Sequence, residues 1–163
     1  MKKLVCLLIA IMCILTVDGK SVKVGKVVPD FSLSDESLRM HSLSQYRGKK
    51  VVLAFYPVGS IPYCRLEAET LRAEFIKLQE AGIVIFGINT ESQKEHLEFK
   101  NRLKIPFSLL TADKKMLSLF DVDGWFGEVK RKTFLINEQG VLIKIIDDVK
   151  LKKHHVQILD GFK

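Results

Sequence analysis

A run of apolar residues that leads into a helical pattern constrains the fold of this chain most strongly. The segment KKVVLAFYP, residues 49–57, is continuously apolar after its two lysines and ends at Pro57. Such a run is typical of a strand that is covered on both faces. In the next segment, CRLEAETLRAEFIKLQEAG, apolar residues recur close to helical spacing: Leu66, Leu71, Phe75 and Leu78. Gly82 ends this pattern, so a buried strand followed by one helix is predicted.

Two further pairs of strand and helix follow. IVIFGIN, residues 83–89, indicates a second buried strand. Thr90 and Gln93 have the spacing of a capping box, which predicts a helix that extends to about Leu103. IPFSLLTAD then indicates a short strand, and its Asp113 is the expected N-cap of a helix over KKMLSLFDV. That helix carries three apolar residues on one face: Met116, Leu117 and Phe120.

The last predicted elements form a hairpin. RKTFLIN and VLIKIID read as strands, and the short EQG between them reads as a tight turn. The element order is therefore β-α-β-α-β-α-β-β. This order predicts a single α/β domain with a mixed central sheet flanked by helices, in which parallel crossovers come first and an antiparallel hairpin comes last.

The first 19 residues have the pattern of a signal peptide. Two lysines precede an uncharged apolar run, and Gly19 is a small residue suited to a cleavage site. The run is too short for a typical membrane span. Its cysteines, Cys6 and Cys13, are interpreted as small hydrophobic residues, since Met12 does not suit lipid attachment. Cleavage leaves a domain over residues 20–163 with one cysteine, Cys64, which excludes an internal disulfide framework.

Charge gives little indication of a nucleic-acid site. Removal of Lys2, Lys3 and Asp18 lowers the formal net charge from +7 to +6, and the basic residues are scattered without aromatic residues among them. This distribution favours a solvated surface and predicts no nucleic-acid partner. His154 and His155 lie in a lysine-rich run, where we expect solvated surface rather than a metal site, because adjacent side chains point to different sides.

Cys64 lies just past the carboxyl end of the first buried strand and in the first turn of the following helix. Ligands usually gather at this edge of an α/β sheet. The positive end of the helix dipole favours the ionised thiolate there, which is the nucleophilic form. Free cysteines are also among the most buried residues, so a packing role stays open on geometry alone.

Four segments carry a resemblance to a known family. FYPVGSIPYCRLE resembles the active-site segment of the peroxiredoxins, which runs Pro, three residues, Thr, two residues, Cys. GKVVPDFSL, SLSQYRGKKVVLAFYP and RKTFLINEQGVL, in the same order, resemble the Q-type (bacterioferritin comigratory) branch of the AhpC/TSA superfamily. The resemblance covers nearly the whole chain after the signal segment, and it implies a thioredoxin-like fold.

The resemblance also implies roles for single residues. Cys64 matches the peroxidatic cysteine, which attacks a hydroperoxide and becomes sulfenic acid. Arg131 matches the strand arginine that favours the thiolate and helps hold the peroxide. Pro57 matches the proline that shields the pocket from water. Glu67 matches a glutamate of the Q-type segment, and it either orients Arg131 or simply complements the helix dipole. We expect Tyr63 to contribute to the substrate site with Pro57, Ile61 and Glu67, and we give Tyr56 and Trp125 little weight there because large aromatic residues usually serve packing.

Two positions depart from the family pattern. Ile61 stands where the family has a threonine, and an aliphatic side chain cannot take part in the hydrogen bonds that the hydroxyl makes to the peroxide. Glu69 stands where many Q-type members have a resolving cysteine. The resemblance therefore implies a one-cysteine cycle in which an external thiol reduces the oxidised Cys64.

Two functions remain as hypotheses. The first is an exported thiol peroxidase, periplasmic or extracellular, that reduces hydrogen peroxide or organic hydroperoxides and is recycled by an external thiol or a thioredoxin-like reductant. It needs no cofactor or metal, has no stable membrane insertion after cleavage, and is a monomer or homodimer. The second is a peroxiredoxin-fold protein with weak or no turnover that acts as a binding or redox-sensing module. A thiol–disulfide oxidoreductase is disfavoured because Ile61 and Glu67 flank Cys64 where Cys-x-x-Cys needs a second sulfur.

Overall fold

A mixed sheet of five strands forms the centre of the computed structural model, which describes residues 21–163. The predicted signal peptide, with Cys6 and Cys13, lies outside the described residues. The strands of this sheet are β3 Lys50–Phe55, β4 Ile83–Asn89, β5 Ser108–Thr111, β6 Lys132–Ile136 and β7 Leu142–Ile146. Their order across the sheet is β5-β4-β3-β6-β7. All five were predicted, since their apolar runs are bounded by turn residues.

The direction of each strand follows from its connection. β4 runs parallel to β3, and β5 runs parallel to β4, each after a helical crossover. β6 lies on the other side of β3 and runs antiparallel to it, and β7 returns beside β6 as the second strand of the hairpin. The predicted mixed sheet is therefore confirmed. A smaller antiparallel pair, β1 Ser32–Ser34 and β2 Met40–Ser42, precedes the main sheet.

Helices cover both faces of the sheet. The helices are α1 Pro62–Ala73, α2 Phe75–Glu80, α3 Gln93–Leu103, α4 Lys114–Leu119 and α5 His154–Gly161. Alternate residues of β3 enter two separate cores, because successive side chains of a strand point to opposite faces. Helix α4 contributes to the core that contains Leu53 and Phe55. Helices α1, α2, α3 and α5 contribute to the core that contains Val52 and Cys64. No helix of residues 21–163 is long and apolar enough to span a membrane.

Of two N-caps predicted from the sequence, one is confirmed and the other is wrong. Asp113 caps α4, and its carboxylate accepts a hydrogen bond from the backbone N–H of Met116 at 2.7 Å, as predicted. The capping box predicted at Thr90 and Gln93 is wrong, since α3 is capped two residues later by Ser92 and Glu95. The hydroxyl and the carboxylate there satisfy each other's backbone N–H groups, so the same chemistry acts in a shifted register.

The predicted helix from Cys64 to Gly82 is interrupted. α1 ends at Ala73, and Glu74 has φ −103° and ψ 9°, outside the helical region, before α2 begins. Just after this break the ring of Phe75 packs against Phe107, with 6.2 Å between the ring centroids. The interruption thus coincides with a tertiary contact, which local periodicity does not record.

The lysine-rich segment near the C-terminus is not a wholly solvated surface. A 3-10 turn over Leu151–Lys153 leads into helix α5, whose first residue is His154. Ile158, four residues on, is fully buried in the core on the α1 face of the sheet. The prediction of solvated surface for His154 is therefore wrong: burial of Ile158 turns the same helix face, and His154 with it, toward α1.

Candidate active site

Cys64 is the third residue of α1, which begins at Pro62 and has Ile61 as its N-cap. Its side chain is 2% exposed, and its backbone N–H donates to the carbonyl of Ile61 at 3.0 Å. Proline suits the first position of a helix, because its φ is already helical and its missing N–H would have no helical acceptor. The thiol therefore lies in the first helical turn, where the helix dipole favours negative charge.

Arg131 reaches the thiol because of the antiparallel pairing of β6 with β3. That pairing places Lys132 opposite Phe55, so the start of β6 lies beside the end of β3. The Nη2 atom of Arg131 donates to the Sγ atom of Cys64 at 3.0 Å. The two residues are 67 positions apart in sequence, and the sheet brings them into contact. A guanidinium at this distance stabilises a thiolate electrostatically.

Glu67 lies one turn after Cys64 and is 4% exposed. Its Oε2 atom forms an ion pair with Nη1 of Arg131, so the two ends of the guanidinium contact Glu67 and Cys64. A solvated acid that only complements the helix dipole would not be buried in this way. The observed contact corresponds to the alternative in which Glu67 orients Arg131.

His154 also belongs to this group, although sequence reasoning missed it. Its Nδ1 atom lies 3.0 Å from the Oε1 atom of Glu67, and its Nε2 atom lies 2.9 Å from the hydroxyl of Thr133. Burial, followed by the charge of Arg131, lowers the pKa of His154 from 6.5 to about 3. The imidazole is therefore neutral near pH 7. Its distance of 90 residues from Cys64 in sequence, within a lysine-rich run, gave no local signal of this contact.

The loop between β3 and α1 is held by a neighbouring strand end. The backbone N–H of Gly59 donates to Oε2 of Glu91 at 2.9 Å, and the amide of Asn89 donates to the same oxygen at 2.6 Å. A Cβ atom at Gly59 would meet the ring of Phe99 at 3.0–3.1 Å, so a glycine fits there closely. These contacts fix the segment that carries Pro57 and Ile61, and the sequence analysis did not identify them.

A narrow apolar cavity of about 20 Å³ lies behind the thiol. It has room for about one water molecule. Its lining includes Tyr56, whose hydroxyl is buried without a hydrogen-bond partner among the described residues. Burial raises the pKa of Tyr56 well above its ordinary value, and the nearby carboxylate of Glu91 adds to this, so the hydroxyl stays protonated. The cavity is too small for an organic substrate.

The remaining predicted residues lie nearer the surface. Pro57 is half-buried and directly follows Tyr56 at the end of β3. Ile61 is 38% exposed and Tyr63 is 65% exposed, and neither lines the cavity beside Cys64. Trp125 is 84% exposed in a 3-10 turn and does not line the cavity beside Cys64. The structure thus joins Cys64, Arg131 and Glu67 in direct contact and leaves Ile61 and Tyr63 accessible.

Comparison with known proteins places this arrangement in a family. The model of the AhpC/TSA family matches residues 24–145. The chain belongs to the AhpC/TSA family. Among its curated relatives in this family, the peroxiredoxin Bcp of Bacillus subtilis (strain 168) is 36% identical over 153 residues, which cover 88% of this chain and 96% of that protein.

Solved structures of peroxiredoxins agree with this assignment. Peroxidoxin BcpB from Mycobacterium tuberculosis superposes with a TM-score of 0.79 at 28% identity and covers 86% of this chain and 96% of its own. The bacterioferritin comigratory protein of Xanthomonas campestris, described with its alkyl peroxide reduction activity, gives a TM-score of 0.75 at 26% identity and covers 80% of this chain and 88% of its own. The predicted Q-type branch and thioredoxin-like fold are confirmed. Peroxiredoxins are thiol-dependent peroxidases, and the chain is an enzyme of this class.

Proposed function

We propose that the protein is an exported one-cysteine peroxidase that reduces hydrogen peroxide or organic hydroperoxides through a sulfenic acid on Cys64. The observation that carries the proposal is the contact of Arg131 with both Cys64 and Glu67: Nη2 donates to Sγ at 3.0 Å, while Nη1 is paired with the buried carboxylate. This places a fixed cation beside the nucleophile. A planar guanidinium suits the task better than a flexible ammonium, because its donors point in fixed directions.

The proposed reaction transfers one oxygen atom to sulfur. The Sγ thiolate of Cys64 attacks the terminal oxygen of the hydroperoxide, an S–O bond forms and the O–O bond breaks. The leaving oxygen takes up a proton and departs as water or an alcohol, and sulfur is left two electrons more oxidised as the sulfenic acid. Arg131 stabilises the negative charge that moves from sulfur to the leaving oxygen, as a fixed cation in a partly water-excluded site does.

Recycling requires a thiol from outside the chain. Cys64 is a free cysteine and the only one among residues 21–163. In the proposed cycle an external thiol attacks the sulfenic sulfur and releases water, which forms a mixed disulfide. A second external thiol then attacks that disulfide and restores Cys64. A small thiol or a thioredoxin-like protein supplies both equivalents.

Substrate class and location are parts of the same proposal. Organic hydroperoxides are included because the related protein of Xanthomonas campestris is described with alkyl peroxide reduction activity. Export to a periplasmic or extracellular location is proposed from the two lysines and the apolar run of residues 1–19. We propose a monomer or homodimer that acts without a metal or bound cofactor, since thiolate chemistry needs neither.

One observation favours a second candidate function, a binding or redox-sensing module with weak turnover. Ile61 occupies the N-cap of α1, directly before the turn that carries Cys64, and it offers no side-chain hydrogen bond there. A peroxide in this site would lack a hydroxyl partner that the family pattern provides. Loss of a comparable donor in other enzymes slows the chemical step by about 10²–10³-fold.

Steady-state turnover distinguishes the two functions. The purified protein is mixed with hydrogen peroxide or tert-butyl hydroperoxide, with either dithiothreitol or a thioredoxin system as reductant, and peroxide consumption is followed. We expect multiple turnovers that Cys64→Ser abolishes and that Arg131→Lys lowers by about 10²-fold, since the ammonium cannot contact Cys64 and Glu67 together. Lys130→Gln is the matched control, because Lys130 is a neighbouring cation that pairs only with exposed Asp121 among the described residues. Oxidation of Cys64 without repeated turnover under every reductant would instead support the sensing module.

A further inference from the structure

We infer that His154 is a positioning residue of the peroxidase site: it holds the carboxylate of Glu67, which in turn orients Arg131 toward Cys64. This inference rests on the proposed function. It adds to the site a residue of the C-terminal helix that touches neither the sulfur nor a bound peroxide. The contacts form one continuous chain across three elements of the fold, from Thr133 on β6 through α5 and α1 and back to the start of β6.

The place of His154 follows from how β6 and α5 are arranged. Arg131 directly precedes β6 and Thr133 is the second residue of that strand, and both side chains contact the α1 side of the sheet, Arg131 at Cys64 and Thr133 at His154. Thr133 is fully buried, and its hydroxyl lies 2.9 Å from Nε2 of His154. Ile158 anchors α5 in the core one turn after His154. The imidazole is therefore fixed between β6 and α1.

The charge state of His154 determines the direction of its hydrogen bonds. Burial, followed by the charge of Arg131, lowers the pKa of His154 to about 3, so the imidazole is neutral near pH 7. A neutral imidazole carries one N–H. The Oε1 atom of Glu67 can only accept, so the proposed role requires the proton on Nδ1, with Nε2 accepting from the hydroxyl of Thr133.

Oε1 of Glu67 needs a donor, and Nδ1 of His154 is the polar atom that lies beside it, at 3.0 Å. Oε1 of Glu67 and Nδ1 of His154 are both buried, lie 3.0 Å apart, and have no aligned hydrogen-bond partner among the described residues. Each is thus the group available to satisfy the other. Without His154, Oε1 would be a buried carboxylate oxygen without a donor, which is costly and favours rotation of the carboxylate. Rotation would also move Oε2, and with it the guanidinium that contacts Cys64.

Two amide substitutions distinguish the contribution of Nδ1 from that of Nε2. The amide nitrogen of His154→Asn takes the place of Nδ1 and can still donate to Glu67, while its contact with Thr133 is lost. The longer side chain of His154→Gln places its amide near Nε2, so it keeps a partner at Thr133 and loses the donor to Glu67. Both are neutral and polar. His155→Gln is the control for a change of histidine at the start of α5.

The readout is the second-order rate of Cys64 oxidation by one equivalent of hydrogen peroxide, with Cys64 alkylation by iodoacetamide measured beside it and sites assigned by mass spectrometry. We expect His154→Gln to slow both reactions by on the order of tenfold, by analogy with the loss of a hydrogen-bonded partner behind a metal ligand. The rates of His154→Asn are expected to stay within about threefold of those of the wild type, because the donor to Glu67 is kept. The rates of His155→Gln are expected to equal those of the wild type. Thermal unfolding shows whether each variant is folded.

Equal oxidation rates for the Asn and Gln variants at equal folded fraction would overturn the inference. The position of Arg131 beside Cys64 would then not depend on a donor in the place of Nδ1. Nitrogen-15 NMR of the wild-type imidazole gives a second test, since the inference requires a proton on Nδ1 and none on Nε2. The reverse tautomer would overturn it as well. A wild-type Cys64 that reacts no faster than free cysteine would contradict the proposed function, whereas the tautomer and the iodoacetamide rates would still decide the role of His154.

Discussion

We expect Ile61 to limit the rate at which Cys64 is oxidised. It is the N-cap of α1, and Cys64 is at the third position of that helix. A hydroxyl at an N-cap accepts from the backbone N–H at the second or third helical position. A threonine at position 61 would therefore place its oxygen beside Cys64 and make up for a hydrogen bond that isoleucine cannot form.

Replacement of this side chain gives a prediction for both rate and stability. Ile61→Thr is expected to speed the oxidation of Cys64 by on the order of 10²-fold, because it supplies a polar partner for the peroxide. It is also expected to raise the free energy of unfolding by about 1 kcal/mol, because it caps α1. Stopped-flow oxidation and urea unfolding measure the two effects. Ile61→Val, which has the shape of threonine without the hydroxyl, is the control and should change neither; equal rates for the Thr and Val variants would contradict the account.

Among single residues, the sequence predicted those that act on the peroxide, Cys64 and Arg131, but not His154, which lies behind them. Cys64 and Arg131 could be proposed because each lies within a segment that resembles the family. Their contact could not be seen from spacing, since it depends on β6 running beside β3. His154 was interpreted as surface because it directly follows a lysine-rich stretch and a buried imidazole there has no local pattern, and its burial follows from the packing of Ile158.

The loop from β3 to α1 is the element that presents the thiol, and its position depends on contacts with other elements. Glu91 accepts from the backbone N–H of Gly59, and the ring of Phe99 lies against the same residue. A loop held in this way keeps Pro57 and Ile61 at fixed positions near Cys64. We expect its rigidity to matter for the rate, because small displacements of reacting groups reduce rates strongly.

Gly59→Ala tests this element. The added methyl group would meet the ring of Phe99 at 3.0–3.1 Å, so the loop or the ring must shift. We expect a loss of about 1–3 kcal/mol in the free energy of unfolding, which is typical of overpacking, together with slower oxidation of Cys64. In the double variant with Phe99→Leu the methyl group has more room, and part of the rate should return. Ser60→Ala, at an exposed neighbour, is the control, and a folded Gly59→Ala protein with the rate of the wild type would show that the loop position is unimportant.

Elements with a strong local signal were predicted well. The five strands of the sheet follow from apolar runs, and Asp113 caps α4 as its sequence context indicated. The register of the α3 cap was wrong because two overlapping pairs, Thr90 with Gln93 and Ser92 with Glu95, both fit the capping-box spacing, and only the second pair lies at the observed helix start. The break at Glu74 was missed because both sides of it have helical propensity.

For the molecule as a whole, buried histidine makes stability depend on pH. The folded-state pKa of His154, about 3, lies below the ordinary value of 6.5, so the unfolded chain binds a proton more readily. The stability associated with neutral His154 is fully present above about pH 6.5 and is lost as the pH falls toward 3. Between pH 7 and 5 this single group should lower the free energy of unfolding by about 2 kcal/mol.

Urea unfolding at several pH values measures this dependence. His154→Asn removes the titrating group while it keeps a neutral polar side chain, so its free energy of unfolding should fall less steeply with decreasing pH than that of the wild type. His96, which is also buried with a lowered pKa, is present in both proteins and cancels in the comparison. Parallel pH profiles for the two proteins would show that His154 is not held neutral.

Single-turnover oxidation measures the reactivity of Cys64 itself. Reduced protein is mixed with one equivalent of hydrogen peroxide in a stopped-flow instrument, and mass spectrometry locates the added oxygen. We expect oxidation of Cys64 orders of magnitude faster than that of free cysteine, and no fast phase in Cys64→Ser. Oxidation no faster than that of free cysteine, in both the wild type and Ile61→Thr, would contradict a peroxidatic cysteine held by Arg131 and Glu67.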